Sequence, residues 1–322
     1  MELFQKPSID FVGNRRIPLA IALFIVLGSL AAIAVKGFNY SIEFTGGTLL
    51  QVAFPKPVAV GDLRATMAKA GLEPEIQTVT TMGGKLSYIL REKGAEEALA
   101  SESDRFMKVL TEAFPENAPV LEKKDFVGPV VGKDLKRRTG WAIFLSLLGI
   151  VVYVAFRFSN PIWGIAGVLA LFHDVVGTSG LFVLLGKEID LLIVTALLTI
   201  AGYSINDTIV IFDRMRENLR VKRGVSFGEI VNSSVNETLS RTLITVLTVQ
   251  MVCVVLYFFG GPVLRDFALA LIVGNLLGSF STIMASACLI YEWETRFGGR
   301  KPAVEEPAAA KGGKPGKKQR YA

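Results

Sequence analysis

The stretch LLIVTALLTIAGYSINDTIVIFDR (191–214) places a carboxylate, Asp207, inside a segment that is otherwise apolar enough to cross a membrane. About 20 mostly apolar residues span the hydrocarbon core of a bilayer, and an Asp or Arg at mid-helix costs roughly 2.5–3.5 kcal/mol on insertion scales. Such residues normally face a bundle interior or a wet cavity, and they mark ion or proton paths. The stretch therefore predicts a protein that moves charge rather than a passive anchor.

The rest of the chain fits a multi-span membrane protein, because 51% of its 322 residues are hydrophobic. The first apolar run has no small-residue cleavage site after it, so we expect an uncleaved span rather than a removed signal peptide. An uncleaved signal anchor would give the same topology. The predicted spans are 17–35, 139–157, 162–185, 189–212, 242–260 and 266–290.

The distribution of basic residues predicts the orientation. The net charge is +6, and cations concentrate in the amino-terminal arm (1–16), in the loop 213–241 and in the tail 291–322. Cytoplasmic loops carry an excess of Lys and Arg, so we expect a multi-pass membrane protein with both termini in the cytoplasm. A basic cluster at 133–138 lies on the other side, but long translocated domains escape the charge rule.

The segment 36–138 is long enough for one small extracytoplasmic domain. Strand-like runs and helical runs alternate in it, and a Gly83–Gly84 turn joins the second strand to the third. The order strand–helix–strand–strand–helix–strand is the ferredoxin-like α+β pattern. The predicted strands are 48–54, 75–81, 85–91 and 118–127, and the predicted helices are 58–72 and about 95–114.

Two segments are expected on the cytoplasmic side. GVSFGEIVNSSVNETLSRT (224–242) predicts a short amphipathic helix that leads into span five, with a capping box formed by Ser226 and Glu229. The tail from Gly298 onward is rich in Lys, Gly, Pro and Ala and cannot bury a core, so we expect disorder. A solvated basic tail that can meet anionic lipid is the simplest interpretation, and we expect no nucleic-acid partner.

Polar residues recur at a spacing of four within the predicted spans, which places them on shared helix faces. The spacing predicts a bundle whose polar faces all turn inward. These residues are Thr195, Thr199, Tyr203 and Asp207 in span four, flanked by Gly202, Ser204 and Asn206; Arg241, Thr245 and Thr248 in span five; and Asp174 and Thr178 in span three. In span six, Gly274, Gly278 and Thr282 form a small-residue seam suited to close helix contact.

Asp207 and Arg241 are the predicted proton-relay residues. They are expected at similar depth on antiparallel helices, so we predict an ion pair that protonation of Asp207 breaks. The alternative for Arg241 is a side chain that snorkels to the lipid headgroups. The candidate supporting residues are Asp174, Asn206, Ser204, Tyr203, Thr245 and Asp213.

Three of the other polar residues have more than one interpretation. Asp174 is either a second proton site or a structural carboxylate bonded to neighbouring hydroxyls. A packing role for His173 is favoured over a relay role, because adjacent helical residues point about 100° apart. An ordinary salt bridge with Arg214 or Arg216 explains Asp213.

No feature predicts a cofactor, a metal site or an enzyme. His173 is the only histidine, and Cys253 and Cys288 lie in spans where free thiols usually serve packing. The Gly-rich stretches lack the Lys-Ser/Thr ending of a phosphate loop. Gly46, Gly47 and the run from Gly128 to Gly132 are expected instead to form turns that couple the outside domain to spans one and two.

Several stretches resemble the SecF family, the membrane subunits of bacterial protein export, and the resemblance covers nearly the whole chain apart from the tail. The most specific is AGYSINDTIVIFDRMREN, which resembles the fourth-span signature. In the stretch outside span one, Glu43 stands where some relatives have Asp. The resembling stretches are 40–48, 127–132, 171–175, 201–218, 241–245 and 259–274.

The resemblance implies one six-span half of a transporter of the RND superfamily, paired with SecD. It further implies association with the SecYEG channel and a translocating preprotein, with YajC as an additional candidate partner, and use of the proton-motive force late in translocation. It places Asp207 and Arg241 at the family's membrane-embedded charged positions. Glu43, Gly46, Gly47, Gly128 and Gly132 fall in its outside motifs.

Two other classes of protein fit the composition. Half of an RND-type exporter of lipids or small molecules would need a larger outside domain with an apolar channel. A purely structural scaffold would tolerate neutral Asp207→Asn, whereas a proton-coupled subunit would not.

Overall fold

Within the described residues, six helices are long and apolar enough to cross a membrane, which confirms the predicted α-helical membrane fold. The computed structural model describes residues 7–80, 86–92, 99–158 and 160–297. The spanning helices are α1 (Arg16–Lys36), α5 (Pro129–Arg157), α6 (Pro161–Leu184), α7 (Leu191–Val221), α8 (Phe227–Phe259) and the pair α9 (Gly261–Phe280) and α10 (Ala287–Arg296).

The separate amphipathic helix predicted at 224–242 is wrong, because α8 is one continuous helix from Phe227 to Phe259. The predicted capping box is confirmed: the Ser226 hydroxyl accepts from the Glu229 N–H, and the Glu229 carboxylate accepts from the Ser226 N–H. No Gly or Pro follows Gly228 within the helix, so nothing in the sequence stops it before the membrane.

The end of α7 and the start of α8 form a helical hairpin. Glu237 of α8 accepts from three residues of α7 and its end: Arg214, Asn218 at 3.0 Å and Lys222 at 2.8 Å. Gly224 makes the turn between the two helices with a φ of 82°, a conformation that favours glycine. This network holds together the two helices that carry Asp207 and Arg241.

The sixth span changes its helical form at mid-length. A π-helical segment (Ser281–Ser286) separates α9 from α10. Wide turns of this kind are rare and occur mostly at functional sites. The segment begins at Ser281, whose side chain is fully buried.

The outside domain has the predicted ferredoxin-like order. Its strands form one antiparallel sheet in the order β3-β4-β2-β5, and the predicted Gly83–Gly84 turn lies outside the described residues. Two helices cover one face, where Leu50, Tyr88 and Phe106 are buried. The elements are β2 (Gly47–Ala53), α3 (Val60–Lys69), β3 (Glu75–Thr80), β4 (Leu86–Glu92), α4 (Leu99–Ala113), a 3₁₀ turn (Pro115–Asn117) and β5 (Val120–Val127).

A second, unpredicted sheet connects this domain to the membrane helices. Strand β1 (Asn39–Tyr40), which follows α1, pairs in parallel with β6 (Glu188–Ile189), which lies between α6 and α7. Arg91 of β4 also forms an ion pair with Glu188. The outside domain is thus attached to the outer end of α7, the helix that carries Asp207.

The amino-terminal arm is hydrogen-bonded to the first turns of α8. The Asn236 amide donates to the Ile9 carbonyl at 2.8 Å and accepts from the Ile9 N–H at 3.0 Å. The Asn232 carbonyl oxygen accepts from the N–H groups of Phe11 and Val12, each at 3.0 Å. Hydrogen bonds from the Gly13 N–H and from the Asn232 amide lower the pKa of Asp10, which holds the arm's carboxylate in its charged form.

Helices α1 and α6 approach closely at Gly180, and this contact gives a first prediction. A Cβ added at Gly180 would lie 2.6 Å from the Cα of Ser29, so backbone would have to move. Gly180→Ala is expected to destabilise the protein by about 1–3 kcal/mol, the usual cost of overpacking. A lower thermal unfolding midpoint of the purified protein checks this.

Gly28, on α1 itself, is the matched control, because a Cβ added there has no neighbour within 4 Å. Gly28→Ala should unfold at or above the wild-type temperature, since alanine favours helix. Equal midpoints for the two variants would contradict the close packing of α1 on α6.

Candidate functional site

The most deeply buried charged side chain in the described part of the membrane bundle is Asp174 of α6, which is 0% exposed. Its Oδ2 accepts from the Ser204 hydroxyl of α7 and, at 2.9 Å, from the Ser281 hydroxyl at the start of the π-helical segment. Three helices therefore converge on one carboxylate. The prediction that hydroxyls surround Asp174 is confirmed, and its function stays a prediction.

His173 contacts Asp174, against the expectation that these neighbours point apart. Its Nδ1 lies 2.8 Å from Asp174 Oδ1, and the imidazole is only 4% exposed. Adjacent side chains leave a helix about 100° apart, but the rotamers of His173 and Asp174 bring their polar atoms together. The other ring nitrogen, Nε2, is buried and has no hydrogen-bond partner within the described residues.

A second polar surface, which we term the outer polar stripe, faces away from this cluster. It consists of Tyr203, Asn206, Asp207, Arg241, Thr245 and Thr248. Tyr203 is 48% exposed, and Asn206, Arg241, Thr245 and Thr248 are also exposed. The prediction that all polar faces turn inward is therefore wrong, because adjacent residues of α7 point to two different sides of the helix.

Asp207 is half-buried, and the predicted Asp207–Arg241 ion pair does not form. Across the described residues that include both, no nitrogen–oxygen contact of 4.0 Å or less joins them. Arg241 is nevertheless the charged group that interacts electrostatically with Asp207. Both charges lie on the same side of the bundle, and no contact within 4.0 Å fixes the distance between Asp207 and Arg241.

A cavity of about 100 Å³ lies between the two polar sets. Asp207 and Asn206 line one part of it, and Ser204, Asn275 and Gly278 line another. The volume exceeds the roughly 10–15 Å³ that one water requires. Most of the cavity wall is apolar, but the amide nitrogen of Asn275, a lining residue, is buried without a partner among the described residues and is a donor available to a water.

The remaining supporting candidates have ordinary structural contacts. Asp213 forms an ion pair with Arg157 at the end of α5, rather than with the neighbouring Arg214 or Arg216 named from sequence. The Thr245 hydroxyl donates to the Thr242 carbonyl within α8 at 2.8 Å. Asp213 therefore ties α5 to α7 at the predicted cytoplasmic mouth.

Glu43 caps the outer end of α7. It lies in the short helix α2 (Ile42–Thr45), and its Oε2 accepts from the Leu191 N–H at 2.9 Å. Asp190 is the N-cap of the same helix and accepts from the Ile193 N–H at 2.7 Å. Two carboxylates thus satisfy N–H groups at the positive end of a helix dipole.

The predicted glycine motifs meet at one junction. Gly46 has a φ of 75° and Gly47 a φ of 141°. A Cβ added at Gly46 would lie 2.7 Å from the Cα of Pro129, and one at Gly132 would lie 2.8 Å from the Gly46 nitrogen. Gly128 is the N-cap of α5 and has open space around it. The turn expected from Gly128 to Gly132 is wrong, because α5 begins at Pro129 and contains Gly132. The backbone after α2 therefore packs directly on the first turns of α5.

Sequence reasoning missed two residues of the buried cluster, Thr208 and Ser281. Thr208 shares a hydrogen bond of 3.1 Å with Thr282, and the Ser281 hydroxyl donates to the Asp174 carboxylate. The repeat of Ser204 and Thr208 at a spacing of four was the available signal, since it marks a second face of α7. The small-residue seam of span six is confirmed, because Gly278 lies against Asp174 and Ser204.

The described residues do not bring together three or more His, Cys, Asp or Glu side chains that could hold a metal ion. The polar groups of both sets instead suit a proton, which one carboxylate and hydroxyls or water can exchange.

Two family models match the chain. The model described as "Protein export membrane protein SecD/SecF, C-terminal" covers residues 107–296, and the "SecD/SecF GG Motif" model covers residues 31–58. The second match contains Glu43 and the Gly46–Gly47 turn, and the first contains both polar sets and Gly132.

Whole-chain comparisons agree. The protein translocase subunit SecF of Endomicrobium trichonymphae is 40% identical over 310 residues, which cover 95% of this chain and 98% of that one. SecF of Escherichia coli O157:H7 is 40% identical over 87% of this chain and 86% of its own. The crystal structure of SecDF from Thermus thermophilus, described as a translocon-associated membrane protein, matches with a TM-score of 0.80 and 36% identity, over 90% of this chain and 39% of that chain. The chain belongs to the SecF family of protein translocase subunits.

Proposed function

We propose that the chain pairs with a SecD-type subunit and uses the proton-motive force to drive late stages of preprotein translocation across the bacterial plasma membrane. The observation that carries this proposal is the half-buried Asp207 facing Arg241 on the outer polar stripe. A carboxylate in hydrocarbon is costly and marks a proton path. The family gives the process that this path would serve.

The outer polar stripe supports the partner. Tyr203, Asn206 and Thr248 are exposed at membrane depth, where lipid offers polar groups no hydrogen bonds. A second six-helix half that presents polar groups at the same depth would cover them. The Thermus relative is named SecDF, and the region like this chain is 39% of its length, which leaves room in that single chain for a SecD-type part.

Protonation of Asp207 supplies the proposed trigger. The charged form attracts Arg241, and the neutral form does not, so each proton changes the force between α7 and α8. One charge that crosses 100 mV gains about 2.3 kcal/mol. Arg241 is exposed and not held by a contact within 4.0 Å of Asp207, so its side chain is free to respond.

The outer end of α7 provides the proposed coupling to the outside domain. Glu43 caps this helix, β1 pairs with β6 beside it, and Arg91 binds Glu188. A shift of α7 that follows protonation would be passed to the domain through these contacts. Glu43, Gly46, Gly47, Gly128 and Gly132 are the proposed coupling residues.

The wider setting follows from the family and from the charge pattern. We propose that both termini lie in the cytoplasm and that the complex associates with SecYEG and a preprotein. YajC and anionic lipid at the basic tail are further proposed contacts, and no enzymatic step is assigned. The exporter of lipids or small molecules is not favoured by the relatives.

Photocrosslinking tests the proposed partner. A crosslinking amino acid at Tyr203 is expected to capture the SecD-type subunit in membranes that contain both proteins, because the outer polar stripe is its proposed contact. The matched control is Phe144 of α5, an exposed apolar side chain that is 55% accessible and lies off the stripe. Capture from Phe144 but not from Tyr203 would overturn the proposed interface.

A further inference from the structure

We propose that Asp174 and His173 form a second proton-binding site, which exchanges protons with Asp207 through Ser204. This inference rests on the proposed proton coupling and deepens it. It assigns to the buried cluster a function beyond packing and names the route by which a proton reaches it.

The first argument is the chemistry of the cluster. Asp174 is 0% exposed, and the described residues that contact its carboxylate are hydroxyls and one imidazole. A buried carboxylate without a fixed cation is unfavourable in the membrane unless it takes up a proton or faces a protonated imidazole. Each of these forms carries one proton more than a carboxylate beside a neutral imidazole. The pair can therefore gain and lose a proton without rebuilding the fold.

The second argument is that Ser204 connects Asp174 to the cavity beside Asp207. Ser204 belongs to both sites, because its hydroxyl donates to Asp174 and its residue also lines the cavity that Asp207 lines. The cavity is large enough for water. A hydroxyl has one donor and two acceptor sites, so it can take a proton on one side and give one on the other.

The transfer balances as follows. The Asp207 carboxyl gives its proton to cavity water and becomes a carboxylate. The water passes a proton to the Ser204 oxygen as the Ser204 O–H bond breaks and its proton moves to Asp174 Oδ2. Ser204 ends as a neutral hydroxyl, and Asp174 ends as a neutral acid protonated at Oδ2, with its Oδ1 still beside His173 Nδ1.

The third argument is that few other groups can compete. Helix α7 presents Ser204 and Thr208, and the sixth span presents Gly278, Ser281 and Thr282. Helix α1 presents Ile25 and Ser29 to the neighbouring glycines of α6 and has charged residues only at its two ends. Among the described groups, His173 is thus the titratable contact of Asp174, and Asp207 follows across the cavity.

The π-helical segment adds a geometric reason. It begins at Ser281, so the donor to Asp174 sits at the point where the helical turn widens. The Ser281 hydroxyl also lies 3.1 Å from the Gly278 carbonyl, so it has a second acceptor within its own span when the carboxylate is neutral.

Infrared difference spectra of the complex with its SecD-type partner, taken between high and low pH in liposomes, test this inference. Many carboxyl groups titrate in this range, so the assignment rests on differences between variants. The wild-type spectrum should contain one carboxyl band that is lost in Asp207→Asn and a second that is lost in Asp174→Asn. An Asp174→Asn spectrum that retains both signals overturns the second site, even where Asp207→Asn abolishes proton flux and so supports the proposed function.

The kinetics provide a second test that does not depend on removing the buried carboxylate. After a pH jump, Asp174 should be protonated at least about tenfold more slowly in Ser204→Ala than in the wild type. The reason is that alanine has no hydroxyl to carry the proton from the cavity to Asp174. Thr178→Val is the matched control, since Thr178 bonds only the Asp174 backbone carbonyl, at 2.8 Å. An unchanged rate in Ser204→Ala overturns the route through Ser204.

Discussion

Replacing Asp207 with asparagine is expected to reduce proton-driven export to the level seen without a proton gradient. Asparagine keeps the size of the side chain and its polarity but cannot bind and release a proton. Each proton that crosses 100 mV supplies about 2.3 kcal/mol, which biases an equilibrium by roughly 40-fold. The measurement is late-stage translocation of a preprotein into membrane vesicles, with and without the gradient.

Two further variants make this result specific. Arg241→Met should have the same effect, because it removes the charge that responds to Asp207. Asp213→Asn removes a carboxylate of the same helix that is paired with Arg157, and it should retain gradient-driven export. Complex assembly should survive in all three. Equal export by wild type and Asp207→Asn would indicate that the chain is a structural scaffold rather than a proton-coupled subunit.

Replacing Gly46 with alanine should have the second largest effect, on stability. The residue has a φ of 75°, and the added Cβ would lie 2.7 Å from the Cα of Pro129. The left-handed conformation costs a non-glycine residue about 1–2 kcal/mol, and overpacking against backbone adds about 1–3 kcal/mol. The thermal unfolding midpoint of the purified complex, and its export activity, should both fall.

Gly128→Ala is the control within the same junction. Gly128 has a φ of −65° and no neighbour within 4 Å of an added Cβ, so alanine should cost less than about 1 kcal/mol. If Gly46→Ala and Gly128→Ala melt together, the close contact between the turn after α2 and the start of α5 is not what stabilises the junction.

Much of the architecture could be predicted from local sequence signals. Hydropathy alone located the six spans, and the alternation of strand-like and helical runs gave the ferredoxin-like order. Ser226 and Glu229 marked the start of α8, but its length was missed because the change from a polar to an apolar surface was taken as a helix end. The pairing of β1 with β6 involves two residues in each strand, too few for a sequence signal.

Most residues of the site could be predicted from the sequence, but their arrangement in space could not. Spacing identified Asp207, Arg241, Asp174 and Ser204 as candidate site residues. It could not give the rotation of each helix in the bundle, so Ser204 was grouped with Asp207 rather than with Asp174. Contacts such as His173 to Asp174 depend on rotamers, and the helical period does not fix those.

Proton flux into liposomes that contain the chain and its SecD-type partner is the most direct test of the central claim. With a membrane potential imposed, wild type should conduct protons, and Asp207→Asn should match liposomes without protein. Conduction by Asp207→Asn at the wild-type rate would contradict the claim that this carboxylate carries the proton.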